Sequence, residues 1–247
     1  MQDLRISLVQ GETRWHDPAG NCDYYGGLIA PLAGQSDLVI LPETFTSGFS
    51  NEAIDQAEGM DGATVAWIRE QAATLGAAVT GSVQLRTDEG VFNRLLFATP
   101  DGELQYYDKR HLFRYANEHK RYAAGSNRLT LEWKGWRINP LVCYDLRFPV
   151  FVRNRFGVEA PGRFDYDLLL FVANWPAARR HAWRTLLQAR AIENLAYCVG
   201  VNRAGTDGNG IAYSGDSVAN DFLGQPLLEL DDAARVETVP LSAEALA

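Results

Sequence analysis

The sequence has few cysteines and no recognisable metal-binding pattern. Its three cysteines, Cys22, Cys143 and Cys198, are spread through 247 residues without a C-x-x-C pair. An odd, widely spaced set of this kind forms no disulfide framework and is typical of a reducing compartment. The four histidines show neither an H-E-x-x-H motif nor a mixed Cys/His spacing. We therefore expect no structural disulfide and no metal site.

Positive charge and long apolar runs are also scarce. The net charge is −8 and the isoelectric point is near 5.0. Without a basic stripe to neutralise phosphates, neither nucleic acid nor a membrane surface is an expected partner. No apolar run approaches the ~18 residues that cross a bilayer, and residues 1–5 lack the basic-then-apolar order of a signal peptide. These absences predict a cytoplasmic protein.

No linker divides the chain. We find no Ser/Pro-rich run, charge block, internal repeat or low-complexity tract. The composition is 47% hydrophobic and 22% charged, which is enough for one large core. We therefore predict a single globular domain that covers residues 1–247.

Apolar strands alternate with helices along the chain. The predicted strands cover residues 4–10, 38–41, 77–85, 91–99, 103–107, 129–133, 136–142, 168–172, 196–201, 216–220, 225–229 and 235–239. The predicted helices cover residues 23–32, 64–75, a segment that begins at Pro149, and 180–193, while 112–125 and 205–210 are predicted loops. The helix at 180–193 lies between two strands as a β-α-β unit. The sequence therefore predicts an α/β fold with parallel strands.

Three reactive side chains, Glu43, Lys109 and Cys143, each stand just past the end of a predicted strand. Ligands bind beyond the carboxyl ends of strands in α/β proteins, so neighbouring strands would bring these groups to one edge. A helix that begins at Pro149 would point free N–H groups at Cys143 and favour its thiolate. From the residues alone, a buried structural thiol, a solvated glutamate and a surface lysine remain the alternatives.

The residue types fit one kind of chemistry. A cysteine hydrolase requires a base for the thiol proton, donors for the developing oxyanion and a proton for the leaving amine. Histidine is the usual base, but here a glutamate and a lysine are the best-placed candidates. A carboxylate and an ammonium can pair while a buried thiol passes its proton to the carboxylate.

Three ordered motifs resemble the catalytic signatures of the nitrilase, or carbon–nitrogen hydrolase, superfamily. They are LPE at residues 41–43, YDKRHLF at 107–113 and VCYDLRFP at 142–149. Further similar stretches, NWP at 174–176 and QARAIEN at 188–194, extend the resemblance over nearly the whole chain. The resemblance implies a four-layer α-β-β-α sandwich that dimerises through its helices and uses neither cofactor nor metal.

The resemblance also implies a role for individual residues. Carried onto this sequence, it makes Glu43 the general base, Cys143 the nucleophile and Lys109 the cation that stabilises the tetrahedral intermediate. Glu118 matches a second glutamate that many members keep beside the lysine. The backbone N–H of Tyr144 is expected to complete the oxyanion hole.

The wording of the motifs is most similar to the omega-amidase branch of this superfamily. That branch hydrolyses the terminal amide of 2-oxo acids such as 2-oxoglutaramate and 2-oxosuccinamate. The carboxylate of such a substrate requires donors, ideally a planar guanidinium. Candidate substrate contacts near the motifs are Arg114, Arg147 and Arg179 for the carboxylate and Phe45, Tyr115 and Trp175 for the pocket walls. Structural ion pairs, surface exposure or core packing explain each of them equally well.

Three other functions remain open at this point. A nitrilase or N-carbamoyl hydrolase would use the same glutamate, lysine and cysteine. A non-catalytic binding protein on the same scaffold would have no need for all three. A redox sensor centred on Cys143 would respond to oxidation without releasing ammonia. Ammonia release from amide, nitrile and N-carbamoyl substrates distinguishes these functions.

Overall fold

The computed structural model describes residues 1–159 and 161–246. Its strands are β1 (Leu4–Gln10), β2 (Leu38–Ile40), β3 (Ala78–Thr87), β4 (Gly90–Ala98), β5 (Leu104–Asp108), β6 (Leu131–Trp133), β7 (Trp136–Val142), β8 (Leu168–Ala173), β9 (Tyr197–Asn202), β10 (Ala204–Thr206), β11 (Ala212–Ser214), β12 (Val218–Asn220), β13 (Pro226–Glu229) and β14 (Arg235–Leu241). Its helices are α1 (Pro18–Ile29), α2 (Ala63–Leu75), α3 (Pro149–Val152), α4 (Arg180–Asn194) and α5 (Ala243–Leu246).

Two large sheets face each other in the described ranges. One has the strand order β14-β1-β2-β3-β4-β5 and the other β13-β12-β9-β8-β7-β6, with six strands each. Strands β1, β2 and β3 are parallel in the first sheet, and β7, β8 and β9 are parallel in the second. The loops that follow these parallel strands therefore leave each sheet at its carboxyl edge.

The core follows the period-two pattern of the strands. Leu38 and Ile40 of β2 pack between the sheets with Ile138 of β7. Val39, which lies between them, faces the opposite side and packs with Ile68 of α2. Each such buried aliphatic side chain contributes about 1.5–3 kcal/mol to the free energy of folding.

Helices cover the outer face of each sheet. Helices α1 and α2 pack on the first sheet, while α4 packs on the second through Trp183 and Leu187. The α4 contact depends on Gly200 of β9, because a Cβ there would lie 2.5 Å from a Leu187 methyl group. The predicted four-layer α-β-β-α sandwich is confirmed.

The two ends of the chain meet in one sheet. Strands β1 and β14 pair antiparallel, with Leu4 opposite Leu241. A ladder between the first and last strands closes the architecture as a single domain, as the sequence predicts.

Two local predictions were wrong in their limits. The first helix begins at Pro18, where the Asp17 carboxylate accepts the Gly20 backbone N–H at 3.0 Å and caps the helix. The predicted loop at 205–210 begins inside β10, because residues 205 and 206 pair with β11 in a small hairpin. Both differences come from short-range hydrogen bonds that hydrophobic periodicity does not report.

Within the described residues, no helix is both long enough and apolar enough to cross a membrane.

Candidate active site

The three reactive side chains come from two different sheets. Glu43 follows β2 and Lys109 follows β5 of the first sheet, whereas Cys143 follows β7 of the second. Glu43 and Cys143 therefore do not follow neighbouring strands of one sheet, which was the condition under which the sequence placed them at a common edge. They meet because the two sheets are packed face to face, so that their loops line a common cavity.

Glu43, Lys109 and Glu118 form a buried charge cluster. The Lys109 ammonium lies 2.8 Å from Oε1 of Glu43 and 3.0 Å from Oε1 of Glu118. Burial alone would lower the pKa of Lys109, but the two carboxylates raise this pKa well above its usual value. Lys109 is therefore a fixed cation at neutral pH.

Glu118 is held from both sides. Its Oε2 accepts the Phe113 backbone N–H at 2.5 Å, while Oε1 faces Lys109. Burial, reinforced by the charge of Glu43, raises the pKa of Glu118 against the opposing effect of Lys109. The carboxyl group thus anchors the loop after β5 to the lysine.

Two asparagines orient the Glu43 carboxylate. Nδ2 of Asn93, on β4, donates to Oε1 of Glu43 at 2.8 Å and lies 3.4 Å from Oε1 of Glu118. The backbone N–H of Asn174 donates to Oε2 of Glu43 at 2.7 Å. Sequence reasoning missed Asn93, although an asparagine within the buried strand β4 is a visible signal.

Cys143 begins a 3₁₀ turn over Cys143–Arg147 and has a left-handed backbone with a φ of +46°. Its side chain is buried, and burial, followed by the charge of Glu43, raises the pKa of the thiol well above 9.0 despite Lys109. The predicted thiolate is therefore wrong. Helix α3, at Pro149–Val152, is a single turn and starts only after the 3₁₀ turn, so it supplies no helix terminus at the thiol.

Asp145 holds the turn that carries Cys143. Its carboxylate accepts the Val142 backbone N–H at 3.1 Å and the Tyr107 hydroxyl at 2.9 Å. It also accepts the His111 backbone N–H at 2.9 Å and lies 2.7 Å from Nδ1 of the same residue. One buried carboxylate therefore joins the cysteine turn of the second sheet to the lysine-bearing segment of the first.

Glu43, Lys109 and the Cys143 thiol line a cavity of about 340 Å³. Glu118 contacts Lys109 but is not part of this lining. The cavity volume lies at the lower end of the range for small-molecule sites. The other lining residues are largely apolar or aromatic: Phe49, Phe113, Tyr115, Ala116, Asn174, Pro176, Ala178, Arg179, Ile211 and Tyr213. A narrow cleft of about 20 Å³ shares part of this lining and adds Tyr144, Arg147 and Trp175.

The three candidate arginines differ in their position relative to the cavity. Arg179 lines both the cavity and the cleft. Arg147 lines the cleft alone, where its exposed guanidinium lies 5.1 Å from the Trp175 ring centre. Arg114 is exposed and lines neither space.

The candidate aromatic residues also differ in position. Tyr115 lies at the cavity rim and is 83% exposed, and Trp175 is buried beside the cleft. Phe45 is fully buried in the core, where its ring packs against Tyr25 and Trp67. Its predicted place in the pocket wall was therefore wrong, because the side chain faces the helices that cover the first sheet.

In the part of the chain that the structure describes, no group of three or more His, Cys, Asp or Glu side chains is arranged to hold a metal ion. The reactive side chains that line the cavity include the Cys143 thiol, the Glu43 carboxylate and the Lys109 ammonium.

Known proteins are similar to this chain in sequence and in fold. The family model for carbon-nitrogen hydrolases matches residues 5–245. The chain is 48% identical to omega-amidase YafV of Escherichia coli K12 over 217 residues, which are 88% of this chain and 81% of that protein. It is 31% identical to the 2-oxoglutaramate amidase of Bacillus subtilis, over 91% and 85% of the respective chains.

A solved structure agrees with the whole architecture. A CN-hydrolase superfamily protein of Xanthomonas campestris, which carries an arsenic adduct in its active site, superposes with a TM-score of 0.99 and is 74% identical. The match covers 100% of this chain and 93% of that one. By its family match, its relatives and its fold, the chain belongs to the carbon-nitrogen hydrolase family.

Proposed function

We propose that this protein is an omega-amidase, which hydrolyses the terminal amide of 2-oxoglutaramate or 2-oxosuccinamate to the acid and ammonia. The observation that carries the proposal is the meeting of Glu43, Lys109 and Cys143 at one small cavity. The 48% identity to an omega-amidase and the 31% identity to a 2-oxoglutaramate amidase support this substrate class.

The first step is proton transfer from Cys143 to Glu43. Because burial keeps the thiol protonated at rest, attack on the substrate requires a base beside it. The Glu43 carboxylate takes the proton as the sulfur forms a bond to the amide carbon. The carboxylate is already aligned, since donors hold both of its oxygens.

The second step is collapse of the tetrahedral intermediate. The Lys109 ammonium and the backbone N–H of Tyr144 stabilise the oxyanion, and protonated Glu43 returns its proton to the leaving nitrogen. The C–N bond breaks, ammonia departs and a thioester remains on Cys143. Water then loses a proton to Glu43 and attacks the thioester carbon. The C–S bond breaks, the acid is released, and Glu43 returns its proton to the sulfur, which regenerates both the thiol and the carboxylate. Glu118 keeps Lys109 in place throughout.

Ammonia release tests the proposal. The wild-type protein should release ammonia from 2-oxoglutaramate, and Cys143→Ala should not, while Cys22→Ala serves as the matched control. An aliphatic nitrile and an N-carbamoyl amino acid are assayed in parallel. Turnover of either of these without turnover of the oxo-amide would contradict the omega-amidase assignment. Absence of ammonia release from every substrate would favour the alternative of a non-catalytic binding protein.

We also propose that residues 1–247 act as one carbon–nitrogen hydrolase domain, in the cytoplasm and as a homodimer. Exposed apolar side chains on and near α3 and α4, including Val150 at 90% and Ile192 at 50% exposure, support pairing through this helical face. The three free cysteines support a reducing compartment. Sedimentation equilibrium tests the dimer, which a single species at the monomer mass would contradict. Fractionation of the source cells tests the compartment.

A further inference from the structure

The charged side chains that line the cavity differ in their partners. Glu43 and Lys109 pair with each other at 2.8 Å, and Lys109 also pairs with Glu118 at 3.0 Å. The third charged side chain of the lining is Arg179. Among residues 1–159 and 161–246, no carboxylate oxygen lies within 4 Å of its guanidinium. Arg179 is thus a cation at the cavity without an acidic partner in the described chain.

The guanidinium is nevertheless well positioned. It lies 5.0 Å from the ring centre of Phe113 and 5.1 Å from that of Tyr115. The backbone of Arg179 is fixed at both polar groups, because its N–H donates to the Pro176 carbonyl and its carbonyl accepts Nε1–H of Trp175, each at 2.9 Å. Stacking on aromatic rings leaves the planar N–H donors of an arginine free for a ligand.

We propose that Arg179 binds the carboxylate of the substrate at the end opposite the scissile amide. This inference rests on the proposed omega-amidase function and identifies the residue that selects acidic amides over neutral ones. A guanidinium presents parallel N–H donors that match the two oxygens of a carboxylate. Arg179 is itself half-buried, which strengthens this ion pair relative to one at the fully exposed surface.

The position of Arg179 favours it over the other candidates. Arg147 lines only the narrow cleft of about 20 Å³, which Cys143 and Arg179 also line, and Arg114 lines neither space. The cavity of about 340 Å³ holds the thiol and Arg179 in one continuous space. A substrate with its amide at Cys143 therefore has one guanidinium available within that space.

The test compares two amides that differ only in the carboxylate. The substrates are 2-oxoglutaramate and 4-oxopentanamide, in which a methyl group replaces the carboxylate. For Arg179→Leu, the ratio of the two kcat/KM values should shift against the acidic amide by about 10- to 100-fold, as expected for loss of a charge-assisted hydrogen bond. The shift should appear mainly in KM. Arg121→Leu, at an exposed position in the same segment as Glu118, should leave the ratio unchanged.

A second measurement keeps the inference falsifiable. Glutarate should inhibit the wild-type enzyme competitively, and inhibition should weaken by a similar factor in Arg179→Leu. If the leucine variant does not fold, Arg179→Lys replaces it, because lysine keeps the charge but lacks the planar donors and should shift the ratio less. Equal loss on both amides, or an unchanged ratio in both variants, would overturn the role of Arg179. Failure of the wild-type enzyme on 2-oxoglutaramate would instead overturn the proposed function.

Discussion

Asn174 donates twice to Glu43 across the boundary between the two sheets. Its backbone N–H donates to Oε2 of Glu43 at 2.7 Å, and its side-chain amide donates to the Glu43 carbonyl at 2.6 Å. Glu43 follows β2 of the first sheet, whereas Asn174 follows β8 of the second. One of the contacts that join the two sheets therefore also orients the carboxylate of the proposed base.

Replacing the Glu43 carboxylate should lower catalytic activity without unfolding the protein. In Glu43→Gln, one oxygen that accepts hydrogen bonds becomes an NH₂ group, so only one side of the group keeps its acceptor, and no carboxylate remains at this position to take the thiol proton. We expect kcat for ammonia release to fall by about 100- to 10,000-fold. Circular dichroism should show that the variant remains folded. Glu52→Gln, at an exposed position, is the control, and a loss below about tenfold in Glu43→Gln would contradict the assigned base.

The amide of Asn93 should be indispensable because it is a neutral donor to two carboxylates. Asn93→Asp would place a third carboxylate beside Glu43 and Glu118 with the same buried lysine as the counterion. We expect a loss of about 3–5 kcal/mol in the free energy of unfolding at neutral pH. Because burial and like charges raise the pKa of the new carboxyl group, the loss should shrink as the pH falls and the group takes up a proton.

Urea unfolding at several pH values measures this effect. Asn209→Asp, at an exposed loop position, is the matched control and should change stability little. A pH-independent loss in Asn93→Asp would show that packing, and not charge, causes the defect.

Asp145 should contribute more to stability than any single hydrogen bond it accepts. Asp145→Ala leaves the Val142 N–H, the Tyr107 hydroxyl and the His111 N–H without their acceptor, so we expect a loss of about 3–5 kcal/mol. Tyr107→Phe removes one of these bonds and should cost about 1 kcal/mol. Chemical denaturation compares the two variants. Equal losses would contradict a network centred on the carboxylate.

Buried thiols should make the protein sensitive to alkali. Burial raises the pKa of Cys143 well above 9.0 and that of Cys22 to about 11. Thiols of the unfolded chain ionise first as the pH rises, so the unfolded state releases protons that the native state retains. Each such thiol lowers the free energy of unfolding by up to about 1.4 kcal/mol per pH unit above the unfolded pKa, and its contribution is complete below it.

Urea titrations at pH values on either side of the unfolded thiol pKa test this dependence. The stability of Cys143→Ala should fall less steeply with pH than that of the wild type. Parallel curves for the two proteins would mean that the Cys143 thiol has the same pKa in the native and unfolded states. A wild-type stability that rises with pH relative to Cys143→Ala would mean that Cys143 is already ionised in the native state.

Most strands and helices could be predicted from the sequence, because hydrophobic periodicity reflects which side chains are buried. Strand β1 and helix α4 lie almost where their patterns predict them. The packing of two separate sheets could not be predicted from the strand sequences. Glu43 and Cys143 lie past the ends of similar apolar strands, and neither strand's sequence shows which strands pair with it. Resemblance supplied that layer order, and the structure supplied the contacts.

The misjudged parts of the site depend on three-dimensional surroundings. Phe45 lies two residues after Glu43, yet its side chain points into the helix-covered core. The ionisation of Cys143 was misjudged because Pro149 predicts a helix start but not the length of that helix. Asn93 and Asp145 act through partners distant in sequence, so local motifs do not reveal their roles.

The left-handed backbone of Cys143 also has a consequence for protein engineering. A non-glycine residue with this conformation costs about 1–2 kcal/mol, a cost that glycine avoids. Cys143→Gly should therefore resist urea better than Cys143→Ala, although both lack the thiol. A screen that selects for thermal stability alone would favour glycine at this position. The selected protein would be more stable but would lack the nucleophilic thiol. Stabilising libraries of this enzyme should hold Cys143 fixed and score turnover together with melting temperature.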